Sequence, residues 1–235
     1  MTASQLQSFI NKLNKGTYHK TIFKHQISKE VDFAKVWQSQ NTKEVQPFNF
    51  FFIKNNDEYI GAVLLMCNDL HWYITPKHRG KGYLTNALKK TILPYIFDEL
   101  GREEQKITIT ESEIGKENYK CSSNVALNIG FKKLDDINFV LKASDVAIHY
   151  DDTDKVYDGL DRSEVSTIKK ELNTIAKRLH QINTQLENAF GKEVNEYSNT
   201  SLKDMSIKVE FCKFAVVDDM LNDYENNQKI NSCKQ

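Results

Sequence analysis

The stretch from residue 70 to residue 98 constrains the fold more than any other part of this 235-residue chain. It reads as a short apolar strand, a turn opened by Pro76, a basic glycine loop and an amphipathic helix. Gly80 and Gly82 remove side chains where the backbone must approach a ligand closely. The N–H groups of the first helical turn and the positive end of the helix dipole face the same loop. The stretch therefore predicts an anion-binding loop.

The loop carries positive charge that suits a pyrophosphate. Its basic residues are Lys77, His78, Arg79 and Lys81. Two other nucleotide-binding motifs do not fit, because the P-loop needs Gly-x-x-x-x-Gly-Lys-Ser/Thr and the dinucleotide fingerprint needs Gly-x-Gly-x-x-Gly. Here Gly82 is followed by Tyr83 and Leu84, with no third glycine in register. A basic surface loop with two turn glycines is the alternative.

The arrangement resembles motif A of the GNAT acetyltransferase superfamily, which reads strand, V-x-P-x-x-Arg-Gly-x-Gly-hydrophobic-Gly/Ala, helix. The residues in register are Ile74, Pro76, Arg79, Gly80, Lys81 and Gly82. The helix continues with Ala87 and Leu88. One position departs from the motif, since Leu84 stands where the family has a small residue and would crowd the helix start.

A second segment supports the same resemblance. Residues 117–129 predict a helix closed by Gly130 at its C-terminal cap. Residues 122–131 resemble the family's closing Asn-x-x-Ser/Ala … Gly-Phe segment, which packs against the cofactor's far arm and includes Asn124 here. The resemblance covers roughly residues 15–145. It implies an α+β fold in which helices flank a mixed central sheet.

The remaining patterns of the first 145 residues predict short strands and helices. We expect a helix over 4–14, a strand over 17–27, a helix capped by Ser28 and reaching Gln38, a hairpin of 48–54 with 59–67, a helix over 83–98, a strand over 107–111, and one or two strands within 131–143.

The character of the chain changes at Val146. An acidic stretch predicts an exposed linker over 146–163, with Asp151, Asp152, Asp154, Asp158 and Asp161. Apolar residues then alternate spacings of three and four, which is a heptad seam, at Val165, Ile168, Leu172, Ile175, Leu179, Ile182 and Leu186. After a capping box at Ser201, the spacing continues at Leu202, Met205, Val209, Cys212, Val216 and Met220.

These patterns divide the chain into four parts. They are a transferase-like domain (1–145), the acidic linker (146–163), a helical hairpin or coiled coil (164–225) and a disordered tail (226–235). The hairpin either completes the core of the first domain or forms a homo-oligomer or protein-partner interface.

The composition of the chain limits the kinds of binding partner that we expect. Lys plus Arg (32) balances Asp plus Glu (32), so overall charge favours neither nucleic acid nor an anionic membrane. No run approaches the roughly 20 apolar residues of a membrane helix. We therefore expect a soluble, cytoplasmic protein with free thiols. The cysteines lack metal-ligand spacing and are Cys67, Cys121, Cys212 and Cys233. No metal is predicted from the other histidines either, namely His19, His25, His149 and His180.

The resemblance implies acetyl-CoA as acyl donor and direct transfer to an amine. The pyrophosphate would bind the amides of residues 79–84, and the pantetheine arm would pair with the strand 70–74, whose amides could also polarise the thioester carbonyl. The cofactor-binding residues so implied are Tyr73, Ile74, Arg79, Gly80, Lys81, Gly82, Tyr83, Leu84 and Asn124.

Transfer needs a base for the amine and an acid for the departing thiolate. His71 is the first candidate base, because it lies on the central strand and titrates near neutral pH; the alternatives are Glu111 and Glu113. The family's usual tyrosine acid corresponds to Ala126 here. The substitutes for that acid are Tyr119, Tyr83 and Ser122.

The leading hypothesis is an acetyl-CoA-dependent N-acetyltransferase acting on a primary amine of a small molecule or protein. The alternative is a catalytically inactive protein of the same fold that works in binding or assembly through its C-terminal coiled coil, which Leu84 and Ala126 favour. A nucleic-acid-modifying enzyme is disfavoured by the zero net charge.

Overall fold

The computed structural model describes residues 1–39, 43–146, 150, 153–191 and 201–232, and the chain divides into two compact units, Met1–Tyr157 and Asp158–Gln235. The first unit contains, in chain order, α1 (Ala3–Asn14), β1 (Ile22–Ser28), β2 (Val31–Val36), β3 (Phe48–Asn55), β4 (Glu58–Leu65), β5 (Leu70–Ile74), α2 (Tyr83–Ala87), β6 (Glu104–Thr108), α3 (Glu111–Ile114), α4 (Lys116–Ile129), β7 (Lys132–Lys133) and β8 (Asn138–Lys142).

Two sheets form the centre of this unit. The strands β1 to β5 make an antiparallel five-stranded sheet in sequence order, and the other sheet has three strands in the order β6–β8–β7. The chain therefore has the predicted α+β architecture. The predicted hairpin of β3 with β4 is present, with Phe51 opposite Val63.

Both faces of the larger sheet are covered, which explains the continuous aromatic run in β3. Phe51 faces a core that also contains residues of α2 and α4. Phe50 and Phe52 face a second core formed with α1. All three rings are fully buried. Successive side chains of a strand point to opposite faces, so this alternation identifies an α2/α4 face and an α1 face of the sheet.

The helix predicted from Ser28 to Gln38 is wrong, because this segment forms β2. Five of its six strand residues are buried, and a strand buried on both faces shows no clean period of two. The apolar run was therefore mistaken for a helical face. Ser28, read as a helix cap, instead pairs with Val31 across the β1–β2 turn.

The helix that follows the glycine loop is present but irregular. It begins at Tyr83 as α2 and continues with π-helical turns over Leu88–Ile92 and Tyr95–Glu99. Pro94, which lacks the N–H that an α-helix would use at this point, lies between these two π-helical turns. The predicted strand 107–111 lies earlier, as β6, so Glu111 is the first residue of α3.

Of the segment predicted as an exposed linker, the described residues up to Tyr157 belong to the first unit. The Tyr150 ring is buried and its hydroxyl donates to the carbonyl of Ile27 at 2.8 Å. Val156 forms a β-bridge with Gln26. The acidic composition of the segment gave no indication of these contacts of Tyr150 and Val156. Asp151 and Asp152 lie outside the described residues.

The second unit is a set of helices. It contains α5 (Arg162–Phe190), α6 (Leu202–Phe211), a π-helical turn (Cys212–Val216) and α7 (Val217–Ser232). Capping boxes at Asp161 and Ser201 start α5 and α6. Helix α7 extends into the tail predicted to be disordered, as far as Ser232. Residues 192–200, which lie between α5 and α6 in the sequence, and the last three residues fall outside the described parts.

The buried face of α5 differs from the predicted seam. Ala176 is buried, whereas Ile175 remains 50% exposed. On α6, Ser206 is buried and Met205 is exposed, and the Ser206 hydroxyl donates to the carbonyl of Ala176 at 2.8 Å. Small residues at this point let the two helices approach closely. No helix in the described residues is long and apolar enough to cross a membrane.

Candidate functional site

The two sheets of the first unit meet at β5 and β6 and then part. Their contact is made by the Lys106 amide, which donates to the carbonyl of Asn68 at 3.2 Å, and by the Thr108 amide, which donates to the Asp69 carboxylate at 2.9 Å. Both contacts lie where β5 starts, and β5 and β6 belong to different sheets. Among the described residues no backbone hydrogen bond joins β5 to β6 beyond Leu70, so this edge of β5 is unpaired toward its C-terminal end, and we call it the gap.

The register of β4 with β5 determines which peptide groups face this gap. The Thr75 amide donates to the carbonyl of Ile60, and the Met66 amide donates to the carbonyl of Asp69. Peptide groups alternate between the two edges of an antiparallel strand. Tyr73 therefore bonds toward β4, while the peptide groups of Trp72 and Ile74 face the gap. Of the two predicted pantetheine partners, Ile74 thus has its N–H on the free edge of β5, whereas the peptide groups of Tyr73 bond to β4.

The glycine loop lies at the open end of the gap. Gly80 and Gly82 have φ angles of 72° and 82°, which only glycine adopts without strain. A Cβ at Gly80 would meet no atom within 4 Å, so the outer surface of the loop is open to a ligand. Leu84 packs against the α2/α4 core, so its side chain is directed inward and does not fill the loop.

The basic residues of the loop have different roles. Lys77 pairs with Glu58 at 2.6 Å. His78 is buried, and its Nδ1 lies 2.8 Å from the hydroxyl of Thr75. These two residues hold the loop against β4. They do not supply the positive charge that the sequence assigned to both of them.

Arg79 and Lys81 remain available at the loop surface. Arg79 is exposed, but its Nε donates to the carbonyl of Ile74 at 2.9 Å and its guanidinium lies 5.6 Å from the centre of the Tyr73 ring. Lys81 is exposed and forms no ion pair with another described residue. The positive charge facing solvent at the loop is thus that of Arg79 and Lys81.

His71 lies on the α1 face of the sheet, because Leu70 and Trp72 on either side belong to the α2/α4 core. Its side chain is 48% exposed, and its Nε2 lies 3.4 Å from an Asp69 oxygen. Burial raises the pKa of Asp69, but hydrogen bonds from His71 and Thr108 lower it more, so this pKa lies below its ordinary value. Asp69 thus stays ionised beside the imidazole.

His71 also lines a cavity of about 390 Å³ at the end of β3, β4 and β5. Most of the wall is apolar. The lining residues are Met1, Gln38, Pro47, Phe48, Asn49, Leu64, Leu65, Met66, Cys67 and His71. Sequence reasoning did not find this cavity, because its wall comes from three strands and two distant segments of the chain.

The predicted residues of α4 are placed differently from one another. The hydroxyl of Ser122 accepts from the Trp72 indole at 3.4 Å, which brings it next to β5. Tyr119 donates to the carbonyl of Asp136 at 2.6 Å, so its hydroxyl is bound to the loop before β8. Asn124 is exposed. Ala126, where the family has a tyrosine, is fully buried.

The other candidates are not brought to His71. Glu111 and Glu113 are exposed on the short helix α3, which follows β6. Asp69, which sequence reasoning missed, is the carboxylate that contacts His71; the available signal was its position two residues earlier in the β4–β5 turn. Three cysteines are free thiols, and no group of metal ligands occurs among the described residues. Cys233 and His149 fall outside them.

Comparisons with known proteins agree with this architecture. The family model described as "Acetyltransferase (GNAT) domain" matches residues 7–132, which is just over half of the chain. A search of curated proteins found no match.

Two solved structures are similar in part. One is an acetyltransferase (GNAT family) from Bacillus anthracis, 14% identical, with 40% of this chain and 65% of that chain covered and a TM-score of 0.33. The other is an acetyltransferase from Agrobacterium tumefaciens str. C58, 18% identical, with 40% and 57% covered and a TM-score of 0.30. The chain spans less than two thirds of either structure. The match of the family model over residues 7–132 shows that this chain belongs to the GNAT acetyltransferase family.

Proposed function

We propose that the chain is an acetyl-CoA-dependent N-acetyltransferase that acetylates a primary amine of a small molecule or protein. The observation that carries the proposal is the gap between β5 and β6, with the glycine loop and the start of α2 at its open end. A strand without a hydrogen-bonded neighbour on one edge offers unpaired peptide groups to an extended ligand. A helix start offers N–H groups to a phosphate.

The residues of the loop fit the donor's pyrophosphate. The amides of residues 79–84 would bind its oxygens, helped by the charges of Arg79 and Lys81. The peptide group of Trp72 and the N–H of Ile74, whose carbonyl already accepts from Arg79, would hold the pantetheine arm. Acetyl-CoA supplies an activated thioester, and the chain must place the amine against it and manage two protons.

His71 is the base that the geometry favours. It lines the cavity on the α1 face, and ionised Asp69 orients its ring and stabilises the imidazolium that forms when the ring accepts a proton. The cavity is the acceptor site in this proposal. Because His71 is the one acidic or basic side chain among the described residues that line it, we expect an acceptor with an apolar body next to its amine.

Ser122 is the candidate acid nearest β5, since it contacts Trp72. Tyr119 would first have to give up its hydrogen bond to Asp136. Ser122→Ala should therefore lower kcat more than Tyr119→Phe. A larger loss in Tyr119→Phe would reverse the assignment of the acid.

Thermal unfolding with and without acetyl-CoA tests the donor site. A ligand at about 100 times its dissociation constant stabilises the native state by about 2.7 kcal/mol, so the midpoint should rise. Lys81→Glu should reduce this rise, because it reverses a charge at the loop without breaking an ion pair among described residues. Lys35→Glu, the same charge change at an exposed position of β2, is the matched control. If millimolar acetyl-CoA does not raise the unfolding midpoint at all, the proposed acetyltransferase activity is refuted.

His71→Gln separates binding from catalysis. We expect the variant to keep the acetyl-CoA shift of the wild type while losing transfer to amines. Glu111→Gln should keep both properties. Loss of transfer in Glu111→Gln with retention in His71→Gln would assign the base to α3 instead.

The second candidate function is a non-catalytic member of the family that acts in binding or assembly. Buried Ala126, at the position of the family's acid, favours it. An acetyl-CoA shift without transfer to any amine in a broad screen would support this alternative.

A further inference from the structure

Helix α5 carries two apolar columns when it is read in heptads. The a positions are Val165, Leu172, Leu179 and Leu186, and the d positions are Ile168, Ile175, Ile182 and Ala189. In parallel coiled coils, leucine at a with isoleucine at d favours assemblies of more than two helices. The helix therefore has the composition of a bundle helix, with more apolar surface than one neighbouring helix can cover.

The fully buried residues of α5 occupy a and e positions, whereas Leu172 and Leu179 at a are only partly buried. Val165 at a and Ala176 and Asn183 at e are buried. Further contacts come from Lys169 at e, which pairs with Asp218 of α7. The d column lies beside this contact. Its central residue, Ile175, is half exposed.

Helix α6 extends this uncovered surface. Ala176 and Ser206 touch at the helix contact, and one residue earlier in each helix stand Ile175 and Met205. In an antiparallel helix pair, the residue just before the contact residue of one helix and the residue just before that of the other lie on the same side of the pair. Met205 is 42% exposed. We define the d face by the d residues Ile168, Ile175 and Ile182, the adjoining exposed Leu186 at a, and Met205 of α6.

We infer that the d face binds a second copy of this chain, so that two hairpins form an antiparallel four-helix bundle. Bundle helices bury about three of every seven positions, a and d together with e or g. Within one chain the buried residues are Val165 at a and Ala176 and Asn183 at e, and the second copy would bury the d face. A two-fold interface brings the same surface together from both copies.

Charge on α5 supports a two-fold partner. The g positions beside the d face include Glu171 and Arg178, and neither forms an ion pair with another residue in the described parts of the chain. If two copies of α5 cross antiparallel with Ile175 at the axis, Ile168 meets the partner's Ile182. Glu171 of each copy then meets the partner's Arg178. The charges at these g positions are thus complementary in the self-paired arrangement.

The size of the face suits a stable dimer. The 29 residues of α5 extend about 43 Å at 1.5 Å per residue. Two helices about 9 Å apart present a face roughly 20 Å wide. The product is on the order of 800 Å² per copy, which is the size of a standard protein interface.

The test is the mass of the full chain in sedimentation equilibrium at micromolar concentration. We expect twice the chain mass of 27.2 kDa for the wild type, and the mass of a single chain for Ile175→Glu. Ile207→Glu is the matched control, because Ile207 is 57% exposed and follows Ser206, on the other side of the helix contact. This control should remain a dimer.

A charge exchange on exposed residues keeps the test valid if Ile175→Glu folds poorly. Glu171→Arg should weaken the dimer, and the double variant Glu171→Arg with Arg178→Glu should restore it. A monomeric wild type would overturn the inference. Dissociation by Ile207→Glu but not by Ile175→Glu, or a double variant no better than the single one, would also overturn it. Acetyl-CoA binding is measured separately, so neither proposal depends on the other.

Discussion

The buried carboxylate of Asp32 offers a prediction that depends only on the fold. Asp32 lies in β2 and is 1% exposed. Lys54 lies 2.7 Å from one of its oxygens and Lys24 lies 3.1 Å from the other. The Tyr59 hydroxyl donates to it at 2.5 Å. Replacing Asp32 with asparagine leaves two poorly exposed ammonium groups without a countercharge.

The cost follows from this geometry. Removing one member of a buried ion pair typically destabilises a protein by about 3–5 kcal/mol, because the remaining charge stays buried. That is a large part of the roughly 5–15 kcal/mol that holds a domain folded. We expect Asp32→Asn to lower the free energy of unfolding by about 3 kcal/mol or more, measured by urea titration at neutral pH.

The pH dependence has a definite sign. Burial raises the pKa of Asp32, but hydrogen bonds from Lys54 and Tyr59 and the charges of both lysines lower it more, so the pKa lies below its ordinary value. Its stabilising contribution is therefore complete above the ordinary pKa and is lost as pH falls through the lowered one. The stability difference between wild type and Asp32→Asn should therefore stay constant at higher pH and shrink as pH falls below about 4, the ordinary pKa of an aspartate.

Two control variants test whether the Asp32 network stabilises the fold as an ion cluster. Replacing the whole network, with Asp32→Leu, Lys24→Met, Lys54→Met and Tyr59→Phe together, should recover most of the loss, since no buried charge then lacks a partner. Glu58→Gln, which breaks the exposed pair with Lys77, should have a much smaller effect. An Asp32→Asn variant as stable as the wild type, or one whose deficit is the same at pH 3, would show that the network is not a stabilising ion cluster.

Two further predictions concern packing. Phe51→Ala should lower the free energy of unfolding by about 3–5 kcal/mol in urea titration, because loss of this fully buried ring leaves a cavity in the α2/α4 core. Phe23→Ala, at a 58% exposed position, should lower it far less. Equal losses in the two variants would refute the packing argument. Gly159→Ala should lower the thermal midpoint of the helical unit, because φ is +70° and a Cβ would lie 2.3 Å from the Tyr224 ring. Gly191→Ala, with φ of +63° and open space, should show only the backbone strain of about 1–2 kcal/mol, and an equal effect of both variants would exclude a steric role for Tyr224.

Much of the site was predictable because its parts are local in the chain. The strand, the glycine loop and the helix start lie within 30 consecutive residues, and each follows from short-range stereochemistry. The positive φ angles at Gly80 and Gly82 are the backbone conformations that their residue type allows. Gly130 ends α4 with φ of 108°, as its position after an amphipathic run predicted.

The wrong predictions for β2 and α5 both concern which residues are buried, and burial depends on tertiary contacts. Strand β2 was mistaken for a helix because burial on both faces removes the alternation that marks a strand. On α5, a stripe of apolar residues predicted a seam, but the helix buries Ala176 rather than Ile175. Spacing shows that a helix has an apolar stripe, whereas the small residues Ala176 and Ser206 decide which part of the stripe a neighbour can approach.

By itself, the sequence determined the family, the α+β class, the glycine loop and the helical nature of the C-terminal region, because each rests on residues close together in the chain. Only the tertiary structure decided which peptide groups of β5 face the gap, that Asp69 accompanies His71, that Lys77 and His78 pair away from the loop, and where the cavity lies. These features depend on strand register and on contacts between distant segments. Register changes by one residue reverse every side chain of a strand, and no local pattern in β5 reports which residue of β4 will lie opposite.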